Sequence, residues 1–78
     1  MTAHPPPGAE ADVAHRRRAA AVAGHLHDHD TARRLRTDPD PSVRATALGA
    51  LMRSEHLTTD DLREALTDQA PEVRSRAV

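Results

Sequence analysis

The octapeptide Thr37-Asp38-Pro39-Asp40-Pro41-Ser42-Val43-Arg44 returns 30 residues later as Thr67-Asp68-Gln69-Ala70-Pro71-Glu72-Val73-Arg74. Thr, Asp, Pro, Val and Arg match in register, and Ser42 meets another polar residue, Glu72. A motif that recurs at a fixed spacing of roughly 20 to 50 residues is the signature of stacked supersecondary units, none of which buries its apolar face alone. A weaker copy precedes them: Arg17 to Ala23 resembles Val43 to Gly49 at a displacement of 26 residues.

Each unit reads as a pair of helices, because no segment after Ala11 alternates with the period of two expected of a strand. Leu57-Thr58-Thr59-Asp60-Asp61 opens a short helix, with Thr58 as the cap, Asp61 returning the bond three residues on, and both acids suiting the positive helix end. Leu62, Ala65 and Leu66 share a face of that helix. Pro71 and Pro41 begin the next helices at a first-turn position where a missing amide costs nothing. Asp40 is the expected cap of the latter, and Val43, Ala47, Ala50 and Leu51 its buried stripe. Val13, Ala19, Ala20, Val22, Ala23 and Leu26 supply the apolar positions of the first helix. Asp12 with Arg16, and Glu72 with Arg76, are acid-before-base pairs at i and i+4. The expected helices cover about 11–27, 30–37, 41–54, 59–67 and 71–78. Residues 1–10, with Pro5-Pro6-Pro7-Gly8, read as a disordered proline-rich tail.

Composition bounds what such a chain does. Of its 78 residues, 15 are Ala, while seven Leu, five Val and two Met are the only larger apolar side chains. Aromatic residues, Cys and Lys are absent. That excludes a disulfide framework, thiolate chemistry, a Schiff-base lysine and a phosphate loop ending in Gly-Lys-Ser/Thr. Eleven Arg against twelve acidic residues give a net charge of -1, so neither wholesale nucleic-acid binding nor membrane attraction follows. A cytoplasmic protein of marginal stability without a partner is the expectation.

The run Asp38-Pro39-Asp40-Pro41-Ser42-Val43-Arg44-Ala45-Thr46-Ala47-Leu48-Gly49-Ala50-Leu51 resembles the turn and second helix of a HEAT repeat of the short bacterial kind. The resemblance spans roughly residues 11–78 and is most specific from Thr37 to Leu66. It implies an all-α fold, a short right-handed solenoid of antiparallel helix pairs with about five helices. It also implies structural roles for a turn Asp and a second-helix Arg: Asp38 or Asp40 with Arg44, and Asp68 with Arg74. A carboxylate in a tight turn accepts backbone amides while a guanidinium forks onto it. Most members of such a family are binding platforms, some are chromophore-lyase subunits or repair enzymes, and no motif of a catalytic branch occurs here.

The expected function is therefore non-catalytic protein binding or scaffolding, without a cofactor. The row of second helices is the contact surface, with Arg18, Ala21 and His25 on one helix and Ala45, Thr46, Gly49 and Arg53 on the next. Self-association or continuation into a longer solenoid fits the same pattern, and so does an accessory or substrate peptide that docks on a partner enzyme. Two further clusters keep other readings open. The string His25-Leu26-His27-Asp28-His29-Asp30 carries ligand types suited to zinc, nickel or copper, with His25, His27 and His29 as the candidates. Residues at i and i+2 diverge on a helix, so the string also reads as a polar loop in which Asp30 caps the next helix. The triplets Arg16-Arg17-Arg18 and Arg33, Arg34, Arg36 could grip phosphates. The balancing acids and the lack of aromatic rings for base stacking argue against nucleic acid.

Overall fold

In the computed structural model, which describes the backbone from Pro7 and the side chains from Ala11 to Val78, five α-helices follow one another with no strand among the described residues. They are α1 (Pro7–Leu26), α2 (His29–Leu35), α3 (Pro41–Arg53), α4 (Thr59–Leu66) and α5 (Pro71–Arg76). The helix α1 begins inside the segment expected to be tail, because Pro7 suits a first-turn position just as Pro41 and Pro71 do. The rest of that expected tail, residues 1–6, lies outside the described residues.

Local chemistry sets the starts. Asp40 accepts the amides of Ser42 (2.9 Å) and Val43 (3.2 Å) to cap α3. Thr58 and Asp61 exchange bonds of 3.1 and 2.9 Å across the first turn of α4, a complete capping box. The cap of α2 is Asp28, which accepts the Thr31 amide and hydroxyl, and not Asp30 as expected; Asp30 sits in the first turn instead. The stops also share one device. His27 (φ 55°) and Glu55 (φ 61°) adopt the left-handed conformation just past α1 and α3. The next amides, of Asp28 and His56, then reach back to the carbonyls of Ala23 (2.9 Å) and Leu51 (3.0 Å), satisfying groups the helices leave open.

Packing centres on α3, which lies against α1, α2 and α5; α1 also meets α2, and α4 meets α5. The helices α1, α3 and α5 thus form a row with α3 in the middle. One apolar cluster joins Ala20, Leu35, Val43 and Ala47; another joins Ala45, Leu48, Ala65 and Val73, with Ala77 at its margin. Position by position these correspond: Ala20 with Leu48, Leu35 with Ala65, Val43 with Val73, Ala47 with Ala77. Where one cluster has small then large, the other has large then small, so the filled volume is kept while the shapes differ. The first-helix correspondence is therefore displaced by 28 residues, and the 26-residue alignment expected from sequence is corrected.

A third cluster, Ala23, Ala32, Ala50 and Leu51, joins α1, α2 and α3. A β-carbon on Gly24 would lie 3.1 Å from the Ala50 β-carbon and 3.2 Å from its α-carbon, so a side chain there would force the two helices apart by a few tenths of an ångström. Leu48, Leu51 and Val43 are the largest wholly buried side chains. Each contributes about 1.5–3 kcal/mol of apolar burial. Helices of six to eight residues do not persist alone, and these contacts hold α2, α4 and α5 in place. Several expected core positions are not in the core. Leu66 is 51% exposed and Leu26 71% exposed, and Val22 is also exposed. None of the three joins an apolar cluster.

Candidate functional site

Charged side chains divide into two populations. Along the edge formed by the turns and the short helices, the guanidinium groups of Arg16, Arg33, Arg36 and Arg44 meet carboxylates of the chain itself. Asp38, 8% exposed, accepts Nε (2.7 Å) and Nη2 (3.2 Å) of Arg16 and the amide of Asp40 (2.9 Å). Asp68 repeats the arrangement, accepting Nε (3.0 Å) and Nη2 (2.9 Å) of Arg44 and the amide of Ala70 (2.9 Å). The remaining Nη1 of Arg44 donates to the carbonyls of Asp38 (2.9 Å) and Pro39 (3.0 Å), which ties two successive turns together. Arg74 holds the carbonyls of Asp68 (2.7 Å) and Gln69 (3.0 Å) in the same way.

The ion pairing expected within a turn, Asp38 or Asp40 with Arg44 and Asp68 with Arg74, is thus corrected: Arg44 forks onto Asp68 of the following turn, as Arg16 does onto Asp38, and Arg74 has no carboxylate partner among the described residues. Their own turns supply Arg44 and Arg74 only with carbonyls. Asp40 is occupied as the α3 cap, where it also accepts the Ser42 hydroxyl. The expected i, i+4 pairing of Asp12 with Arg16 gives way to Asp38 for the same reason.

Sequence reasoning missed the role of Asp61. Read as a helix-start residue, it is also 2% exposed and receives both Oδ contacts of Arg33 Nη1 at 3.0 Å. Arg36 Nε lies 3.0 Å from its Oδ1 as an ion contact whose N–H is not aligned for a hydrogen bond. Arg36 also donates to Glu64 at 2.8 Å, so α2 and α4 are clamped by charge. The one available signal was the spacing of Arg33 and Arg36, three apart on a single helical face.

Burial by itself pushes the Asp61 and Asp38 carboxyls up. Thr58 with Arg33 in the first case, and Arg16 with the Asp40 amide in the second, more than reverse that and leave both below the ordinary carboxylate range. The Arg44 fork lowers Asp68, and the Ser42 hydroxyl lowers Asp40. These groups are ionised and fully engaged, which suits struts and not proton transfer.

The second population lies on the α1–α3–α5 row. Arg17 donates to the Ser42 hydroxyl (3.1 Å) at one end of α3. At the other end, Arg53 Nη2 lies 2.7 Å from the point where Gly24 would carry a β-carbon. Over Gly49 the corresponding point is 2.5 Å from Arg76 Nη1 and 3.6 Å from Arg53 Nη1, so two guanidinium tips converge on one small patch of helix. No carboxylate of the described residues lies within 4.0 Å of Arg17, Arg18, Arg53 or Arg76. The expected Glu72–Arg76 pair is not formed, because Arg76 turns to Gly49.

A comparison with known protein families, curated proteins and solved structures found no match.

Of the surface residues expected on this row, Arg18, His25 and Arg53 are exposed, and Thr46 is half-buried with its hydroxyl donating to the Ser42 carbonyl (2.8 Å). Two expectations are corrected: Ala45 is buried against Leu48, Ala65 and Val73, and Gly49 is buried beneath Arg76. The histidines are not brought together. His25 lies in the last turn of α1, His27 forms the left-handed stop, and His29 stacks on His56 at a centroid distance of 4.0 Å. No group of three His, Asp or Glu side chains able to hold a metal occurs among the described residues. The two arginine clusters do not merge either, since Arg16, Arg33 and Arg36 are spent on Asp38, Asp61 and Glu64. A cleft of about 210 Å³ beside Arg36, Arg44, Glu64 and Asp68 is walled by the same engaged pairs. No helix among the described residues is long and apolar enough to cross a membrane.

Proposed function

We propose that this chain is a non-catalytic protein-interaction module of HEAT-like type, which binds its partner through the row of α1, α3 and α5. The observation that carries the reading is the division of cations. Arg16, Arg33, Arg36 and Arg44, which face the turns and α4, are paired with carboxylates of the chain itself, whereas Arg17, Arg18, Arg53 and Arg76 on the row, like Arg34 on α2 and the carbonyl-bound Arg74, have no carboxylate partner among the described residues. A HEAT-like, right-handed stack of antiparallel pairs is supported by two recurrences: the matched apolar clusters, and the Arg16–Asp38 and Arg44–Asp68 rungs. Catalysis has no support in the buried and half-buried carboxylates, since Asp38, Asp40, Asp61 and Asp68 all serve as struts or caps.

Affinity purification of the tagged chain with mass spectrometry tests the reading. The double variant Arg18→Glu/Arg53→Glu should lose a stoichiometric protein partner that Arg63→Glu, on α4, retains. Equal retention by both variants, or the lack of any stoichiometric partner, defeats the proposal.

A further inference from the structure

Arg53 and Arg76 each close the last turn of their helix, where a cation suits the helix dipole, but that preference does not by itself bring the two together over Gly49. Two like charges meet at one spot, on separate helices, with no carboxylate of the described residues within 4.0 Å of either. Three other guanidinium groups that reach a neighbouring element each meet an acid: Arg16 meets Asp38, Arg33 meets Asp61, and Arg44 meets Asp68. At Gly49 the missing side chain lets both guanidinium groups lie close to the helix, leaving their outer edges toward solvent. Like charges in proximity cost free energy that an anion placed between them reverses.

We infer that the Arg53–Arg76 pair above Gly49, with Arg17 of α1 reaching over the far end of α3, is a docking site for an acidic peptide segment of a partner protein. The inference rests on the interaction reading given above and adds the chemistry of the partner. A carboxylate offers two oxygens to two planar forks, the geometry in which arginine binds best. Ser42, held by Arg17, and Arg53 are eleven positions apart on α3. At 1.5 Å per residue that is about 16 Å, which an extended peptide covers in about five residues. An acidic stretch of that length reaches both ends.

Nucleic acid fits the row less well. Aromatic residues are absent and the net charge is -1, so neither base stacking nor a broad positive field is available.

Fluorescence anisotropy on the full chain tests this, with a labelled glutamate octapeptide, its glutamine counterpart, and single- and double-stranded oligonucleotides as probes, in roughly 50 mM salt so that screening stays modest. Saturable binding of the glutamate peptide alone is expected. Arg53→Gln/Arg76→Gln should weaken it by about tenfold or more, the loss of charge-assisted bonds. Arg63→Gln should change it by less than about twofold, as an exposed, screened charge does. Circular dichroism checks that each variant stays helical; if the pair variant unfolds, Arg53→Lys/Arg76→Lys replaces it, and the same weakening is expected because lysine keeps the charge without the fork. No saturable binding, equal loss in Arg63→Gln, or tighter binding of an oligonucleotide overturns the inference. A protein partner captured equally by the native chain and by Arg53→Gln/Arg76→Gln, but lost from Arg18→Glu/Arg53→Glu, overturns it while leaving the interaction reading intact.

Discussion

Arg44 grips Asp68, 24 residues ahead of it, while holding the carbonyls of Asp38 and Pro39 behind it, so a single side chain fixes the spacing of two successive turns. Both partners are largely shielded, with side-chain exposures of 19% and 16%. Arg44→Met and Asp68→Asn should each cost about 1–2 kcal/mol, and the double variant less than their total, the pattern of a shared charge-assisted bond. Urea unfolding of the four proteins measures the coupling. Strict additivity would show that the contact contributes nothing.

Acid should loosen the fold through the same residues. Asp38, Asp40, Asp61 and Asp68 all have folded values below the ordinary 3.8. Their stabilisation is therefore complete above about that pH and is lost as pH falls through the lowered folded values. Thermal melts should be flat down to about pH 5 and then drop steeply toward pH 2. The variant Asp61→Asn should start from a lower melting temperature and lose less of it on acidification.

The two buried glycines should respond oppositely to the same substitution. Gly24→Ala drives a methyl into the Ala50 backbone and should cost about 1–3 kcal/mol. Gly49→Ala meets only the ends of flexible Arg76 and Arg53 side chains, which can swing aside. The gain in helix propensity there should leave it neutral or up to about 1 kcal/mol more stable. Denaturation midpoints of the two variants settle the contrast.

His27 and Glu55 hold a left-handed conformation that glycine adopts without penalty. His27→Gly and Glu55→Gly should each stabilise the chain by about 0.5–1 kcal/mol. A fall in melting temperature for both would mean that their side chains make contacts outweighing the backbone strain.

Leu48 is the large member of the cluster that fastens α4 and α5 to α3. Leu48→Ala should cost about 2–5 kcal/mol. In so thin a core that is enough to unfold α5 at ambient temperature, which amide hydrogen exchange at Val73 and Arg74 would register.

Helix content and order were legible because the thirty-residue recurrence carries its own punctuation: Asp40 and Thr58 as caps, Pro41 and Pro71 as first-turn residues. Those signals act within four residues, and local physics decides them. What the sequence left hidden was long-range. The partner of Arg44 is chosen by stacking, and the nearby Asp40 was an equally good candidate on spacing alone. Asp61 gave no hint that it anchors a second helix, since its capping role already accounted for it. The stop after α1 was obscured because His27 fills a place usually held by glycine, which made the histidine string look like a ligand set. Similarly, the Gly49 site was legible as a small residue on the right row but not as a seat for Arg76, whose sequence-near partner Glu72 was the simpler expectation.

The inverted sizes of Ala20 with Leu35 and of Leu48 with Ala65 make the two layers look alike yet not interchangeable. Grafting α4 in place of α2 would leave a void beside Ala20, and the reverse graft would force two leucines into the room of one. Engineers who shuffle or duplicate segments of this protein will need to move both halves of a matched pair together, and natural recombination within such a chain faces the same barrier.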